Sequence, residues 1–216
     1  IFLFLGGFLL GLAMQRWALH RRIALNILLA VGQRPNRQIA GFMIATSFLS
    51  MWVSNTATSI MMLPIAVSVI SFLPEAKSDE GRRFAVALLL AVAYSASIGG
   101  IATLIGTPPN AMLAAYLKES HDISIGFAQW MMIGLPVALG MLLFTWWWLC
   151  RKGFAGLETS ASRDLLRAEL QKLGPISAGE ARVLLIFIAT AVAWILRPLI
   201  NNFLPGVTDT VIAMTA

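Results

Sequence analysis

The sequence predicts an all-α, polytopic membrane protein that contains a re-entrant helical hairpin and a broken helix. Three observations carry this. First, the chain of 216 residues is 58% apolar and only 12% charged, where soluble domains carry roughly 25% charged residues. Its mean hydropathy is +0.80. Second, the 36 positions from Gln38 to Leu73 hold no charge, whereas one crossing needs ~20 apolar residues. No polar loop divides the run into two full crossings, and Ser54-Asn55-Thr56 sits near its middle. The pattern fits one half-helix entering, a polar turn inside the membrane, and one half-helix leaving. Third, the uncharged run Phe84–Leu117 is interrupted by Gly99-Gly100 and by Gly106-Thr107-Pro108-Pro109-Asn110, which proline chemistry prevents from continuing a helix.

The elements follow in order. Residues 1–33 read as the end of a scaffold transmembrane helix followed by an interfacial amphipathic helix, with Arg16, His20, Arg21 and Arg22 beside apolar Leu19, Ile23, Ile27 and Leu28. Gly32 to Pro35 breaks that helix. The re-entrant hairpin occupies 34–73, its first half-helix ending near Ser50 to Val53 and its second starting near Asn55. A charged loop from Pro74 to Arg83 leads to a discontinuous transmembrane helix over 84–117, read as Phe84–Ile98, an unwound stretch, then Ala111–Leu117. A transmembrane helix over 123–150 ends in Trp146-Trp147-Trp148, where an aromatic belt is expected. Residues 151–180 form a cytoplasmic connector with a short amphipathic helix near Asp164–Leu170. Ser177 and Glu180 have capping-box spacing for the transmembrane helix at 181–200. Residues 207–216 read as the start of a further, truncated helix. The apolar run at Ile1 without a Met, and the one ending at Ala216, give the expectation of a piece of a longer polytopic protein. No basic n-region precedes the first run, so a signal peptide is not expected.

Charge sets the orientation. With both hairpin ends on the side of Arg21 and Arg22, all of the 16 Lys and Arg residues except Lys118 and Arg197 fall on one side, the asymmetry that marks the cytoplasmic face. The net charge of +6 is therefore membrane-flanking and does not point to nucleic acid. The single Cys150 excludes an intrachain disulfide and fits no metal spacing. No metal cluster, placeable Ser-His-Asp arrangement or phosphate-cradling loop indicates an enzyme.

Two successive broken helices are the mark of a secondary transporter site. A half-helix beginning near Asn55 points free amides at the membrane centre and attracts an anion. The Ser54, Asn55 and Thr56 side chains add hydrogen bonds to a carboxylate or other oxyanion. The carbonyl end of the first half-helix, with Gly106 and its neighbours, suits a cation, and Thr103 and Asn110 supply further oxygens. All these oxygens are neutral, and the runs around both breaks hold no acid or histidine. Proton coupling usually relies on such groups, so sodium is the expected coupling ion. The competing reading of Ser54-Asn55-Thr56 is helix–helix glue. That of Gly106 to Asn110 is a plain loop, which its lack of charge opposes. His20 and His121 are expected to face water or head groups.

The stretch Ser50-Met51-Trp52-Val53-Ser54-Asn55-Thr56-Ala57-Thr58-Ser59 with Met62-Leu63-Pro64-Ile65, and Tyr94-Ser95-Ala96-Ser97-Ile98-Gly99-Gly100 with Gly106-Thr107-Pro108-Pro109-Asn110, resemble the divalent anion:sodium symporter family. Leu173-Gly174-Pro175 to Trp194-Ile195-Leu196-Arg197-Pro198 is similar to that family's connector and next helix. The turn at Gly106 is shared with arsenite-permease-like members of the ion transporter superfamily. The resemblance implies one half of an inverted-repeat elevator transporter, a homodimer in a bacterial inner membrane, carrying dicarboxylates, citrate or sulfate with sodium. It further implies that Ser54, Asn55 and Thr56 contact a substrate carboxylate, and that Ser50, Ser54, Asn55 and Gly106 form a sodium site. Thr103, Thr107, Pro108 and Asn110 would stand in support. An oxyanion or metalloid permease, and a channel, are the alternatives. Small anions and membrane lipids are the expected partners, and which anion is carried is not written in the sequence.

Overall fold

The computed structural model describes residues 2–32, 34–73, 78–154, 157, 160–203 and 206–216, and among these only helices and their connections occur. In chain order they are α1 (Phe2–Arg16), α2 (Leu19–Val31), α3 (Pro35–Ser50), α4 (Asn55–Ser71), α5 (Asp79–Ile101), α6 (Pro108–His121), α7 (Phe127–Cys150), α8 (Ser160–Lys172), α9 (Ala178–Phe203) and α10 (Asp209–Thr215). Gln33, Pro74 to Lys77, and Ala155, Gly156, Glu158 and Thr159 of the expected connector lie outside the described residues.

Helices α5, α7 and α9 are each long and apolar enough to cross a membrane. Helices α1 and α2 meet at 71°. Ala18, in the left-handed conformation at φ 53°, makes that corner, and His20 closes it through an Nδ1 contact of 2.7 Å with the Met14 carbonyl.

Helices α3, α4 and α5 form the centre. Trp146 Nε1, near the end of α7, donates to Asn36 O at the start of α3 (3.0 Å). Arg83 of α5 and Arg151 after α7 line one cavity, so α3 and α5 start at the same end of the molecule. They also finish together, with Ser47 against the backbone of Gly99. Helix α4 starts beside Gly100. Its last described neighbour, Leu73, is five residues from Ser78, a covalent reach of ~18 Å, while α5 is ~34 Å long. Helix α4 therefore returns along α5, antiparallel to it. Phe42, Leu49, Met62, Val69, Phe84 and Leu88 fill the interface with little or no exposure. Pro64 lies inside α4 without ending it, a use of proline common in membrane helices, where neighbours satisfy the freed carbonyl.

Several boundaries differ from the sequence reading, each for a local reason. The second break starts at Ala102, not after Ile98, because Gly99 and Gly100 are accommodated as helix where neighbouring chain approaches closely. Helix α6 begins at Pro108, not Ala111: the two prolines occupy its first turn, where the missing amides have no helical partner in any case. The expected polar loop at Lys118–Asp122 is mostly the last turn of α6, closed by Asp122 in the left-handed conformation. Helix α7 begins at Phe127 rather than Ile123, and α9 at Ala178. There Ser177 N donates to Glu180 Oε2 (2.8 Å) and Glu180 N to Ser177 Oγ (3.2 Å), a reciprocal capping box.

Arg22 of α2 fastens this corner. Its guanidinium donates to both oxygens of Glu180 (2.9 and 3.2 Å) and to the carbonyls of Leu173, Gly174 and Pro175. Next to it, Arg21 pairs with Glu169 of α8, which also accepts from Lys172 at 2.5 Å.

Candidate functional site

The break between α3 and α4 falls at residues 51–54, and the Ser-Asn-Thr motif forms its exit. Ser54 is the N-cap of α4: its Oγ accepts from Ala57 N (3.3 Å), while its carbonyl accepts from Thr58 N (3.0 Å). The amides of Asn55 and Thr56 stand in the first turn, where a helix provides no acceptors of its own. Thr56 is exposed, and Ser54 and Asn55 are half-buried. The helix N-terminus thus presents donors and partial positive charge to an accessible surface.

Behind this surface lies a buried cluster of oxygens. Ser50 Oγ is 2.6 Å from Asn55 Oδ1 and 2.6 Å from the carbonyl of Ala96. A hydroxyl carries one proton, so with Asn55 in this orientation one of the two contacts lacks a donor. The cluster has more acceptor oxygens than protons, the composition a hard cation requires.

The second break completes the wall. A Cβ on Gly100 would stand 2.4 Å from Asn55 Oδ1, and one on Gly106 would stand 2.6 Å from the Gly100 carbonyl. Glycine at both positions lets two stretches of main chain and the Asn55 amide stack in direct contact. Asn110, buried at the start of α6, donates from Nδ2 to Gly100 O and Thr103 O, both at 2.8 Å. Thr103 Oγ1 donates to Met51 O at 2.5 Å, tying the two breaks together. Outside them, Trp130 Nε1 of α7 donates to Ile101 O (2.9 Å).

The structure therefore brings Ser50, Ser54, Asn55, Thr103, Gly106 and Asn110 into one neighbourhood. Thr103 and Asn110 use their side-chain protons to hold backbone carbonyls, so they shape the site. Thr107 is the N-cap residue of α6 without a side-chain cap bond, and Pro108 is exposed in the first turn. No group of three or more His, Cys, Asp or Glu is gathered among the described residues.

Sequence reasoning missed four features. The Ala96 carbonyl leaves no residue-type signal. Thr46, Thr58 and Ser95 place buried hydroxyls without partners among the described residues in the framing helices; hydroxyls clustered in uncharged runs were the available signal. Trp52, at the tip of the break, is wedged among Phe127, Phe187 and Trp194, with centroids 4.7 to 6.5 Å away. Nearby, Asp209 Oδ2 accepts from Phe127 N (2.9 Å) and Arg197 (2.8 Å), pinning the start of α7 to α9 and α10. Arg197 and Asp209 are distant in the uncharged pattern and share no spacing that announces them.

A family model described as citrate transporter matches residues 1–216. A sodium-dependent dicarboxylate transporter SdcS of Staphylococcus saprophyticus is 40% identical, over 99% of this chain and 43% of that protein. One from Staphylococcus aureus is 39% identical, over 91% of this chain and 39% of that protein. The chain thus spans less than half the length of these curated relatives.

Proposed function

The chain belongs to the citrate transporter family, and from that premise we propose that its protein is a secondary active transporter performing sodium-coupled symport of small di- or tricarboxylates. The observation that carries this reading is the pairing of two opposite surfaces at one break. The free amides and hydroxyls of Ser54, Asn55 and Thr56 receive an anion's carboxylate. The proton-poor oxygens of Ser50, Asn55 and Ala96, with Gly106 stacked on Gly100, receive sodium. Asn55 belongs to both surfaces. Sodium bound behind it would orient its amide group and add positive charge where the carboxylate docks, which couples the two cargoes. The relatives' description as sodium-dependent dicarboxylate transporters supports the same pairing.

The membrane arrangement is part of this proposal. Helices α3 and α4 form a re-entrant hairpin: both start and end toward the basic end of α5, and their tip meets the second break. The protein acts as a homodimer, and a body holding both breaks shifts against the α1 and α9 region in an elevator-like movement. The wedge of Trp52 against Phe187 and Trp194 of α9 would be one contact remade in that shift.

The test is uptake of labelled succinate by proteoliposomes holding the complete protein, with and without an inward sodium gradient. Saturable, sodium-dependent uptake is expected, suppressed by excess citrate or a dicarboxylate other than succinate. Uptake that is indifferent to sodium would overturn the coupling assignment, and sulfate uptake in its place would overturn the carboxylate assignment.

A further inference from the structure

Away from the breaks, a groove runs between α5 and α7. Its upper part is a cavity of about 370 Å³ whose rim carries Arg82, Arg83, Arg151 and Lys152 and whose floor includes Val86 and Leu90. Its lower part is a cavity of about 460 Å³ lined by Tyr94, Ile98, Met141, Phe144 and neighbours. Trp148 and Leu149 line both, so the two cavities adjoin, the first cationic at its rim and the second mainly apolar. From Arg83 to Ile98 they follow α5 for about 22 Å at 1.5 Å per residue. A head group and one leaflet of a ~30 Å hydrocarbon core fit that depth.

We propose that this groove binds one anionic phospholipid, its phosphate at Arg83, Arg151 and Lys152 and one acyl chain against Leu90, Trp148 and Phe144. Charge complementarity selects the occupant. Among the described residues the arginines of α5 hold only exposed partners one turn away, Asp79 for Arg82 and Glu80 for Arg83, pairs that contribute little and exchange readily for a phosphate. The Arg151 guanidinium lies 3.7 Å from the Trp148 ring centroid. That stacking fixes its position at the mouth while leaving its N–H edge free for bidentate phosphate contact. Phe84, edge-on to Phe154 at 5.5 Å, holds the turn after α7 in place beneath Lys152. General snorkelling of basic side chains accounts for a charged rim, but not for an apolar cavity adjoining it between two helices. Basic pockets between membrane helices on the cytoplasmic side are where anionic head groups bind. The inference rests on the membrane placement of α5 and α7 and does not depend on what is transported.

The experiment uses the complete protein in a neutral detergent, titrated with phosphatidylglycerol or phosphatidylcholine bearing a brominated acyl chain, with tryptophan fluorescence as the readout. Bromine quenches only nearby indoles, and Trp148 lies in the groove. Saturable quenching is expected at a phosphatidylglycerol concentration at least about ten-fold below that for phosphatidylcholine, since each surface cation adds roughly five-fold. Trp148→Phe is expected to remove most of the saturable quench. The triple variant R83Q/R151Q/K152Q is expected to raise the phosphatidylglycerol midpoint about ten-fold or more. Equal affinity for the two lipids in the unaltered protein overturns the proposal without reliance on any variant. So does a saturable quench that survives Trp148→Phe. Absence of saturable quenching means another part of the polypeptide or a second copy covers the groove, and also overturns it. Displacement by glycerol phosphate at the same concentration as by lipid would assign the rim to a free phosphate ester.

Discussion

A Cβ atom at Gly100 would lie 2.4 Å from Oδ1 of Asn55, so the last turn of α5 meets the first turn of α4 through the absence of a side chain. Gly100→Ala is expected to push the Asn55 amide off Ser50 and abolish sodium-dependent uptake while the protein still inserts. Gly140→Ala is the matched control: nothing lies within 4 Å of its Cβ position, and alanine raises helix propensity by ~1 kcal/mol. Uptake assays on both variants, normalised to membrane protein, decide the matter; equal activity would sink the proposed contact.

Ser50 is buried and shares its hydroxyl between Asn55 and Ala96. Under the proposed coupling, Ser50→Ala raises the sodium concentration for half-maximal uptake by about ten-fold or more, the loss of one bond to a charged group. The succinate concentration dependence measured at saturating sodium is expected to change far less. A shift in succinate dependence alone would move Ser50 to the anion side.

Asn55→Ala is expected to remove uptake altogether, because under the proposed coupling this side chain would face both cargoes. The control measurement is a thermal unfolding scan in detergent. Active Asn55→Ala protein would remove the residue from the site, and an unfolded variant would reassign it to a structural role.

Arg22 and Glu180 are 11% and 6% exposed and share two hydrogen bonds. Breaking a buried pair from one side costs about 3–5 kcal/mol. Arg22→Gln and Glu180→Gln should each lower thermal stability markedly. In a double-mutant cycle the combined variant should lose less than the sum of the two. Additive losses would show that the pair is not coupled.

The clasp between α2 and α8 adds a pH dependence. Hydrogen bonding from Lys172, and then the charges of Lys172 and Arg21, hold the Glu169 carboxyl below its ordinary value of 4.5, against an opposing desolvation effect. A carboxyl whose folded pKa is depressed stabilises the fold above its unfolded pKa, and that stability is lost as pH falls through the folded value. The melting temperatures of the unaltered protein and of Glu169→Gln are therefore expected to differ at neutral pH and to converge below about pH 4. A constant difference across that range would exclude this carboxyl as the cause.

Much of this molecule was legible before folding because membranes make sequence patterns literal. The uncharged run from Gln38 to Leu73 with polar Ser54 at its centre gave α3, the cap and α4 in the right places. The neutral character of the breaks was legible too. Less legible was what depends on two segments meeting. The Ala96 carbonyl joins the candidate site only because α3 packs beside α5, and a carbonyl is present at every residue. Pro108 and Pro109 looked like a loop because proline ends helices, yet proline begins them equally well. The Arg197–Asp209 pair joins elements separated by a turn that carries no periodic signal.

Of the indole N–H groups, those of Trp130, Trp146 and Trp194 each donate to a backbone carbonyl, whereas that of Trp52 is buried without an acceptor among the described residues. It also sits among three aromatic rings, one edge-on at 4.7 Å. An indole proton without a hydrogen bond resonates upfield of its hydrogen-bonded counterparts. In a spectrum of the nitrogen-15 tryptophan-labelled protein, one signal should stand apart and vanish in Trp52→Phe. That signal is a built-in magnetic gauge: its position reports how the tip between α3 and α4 packs against α9.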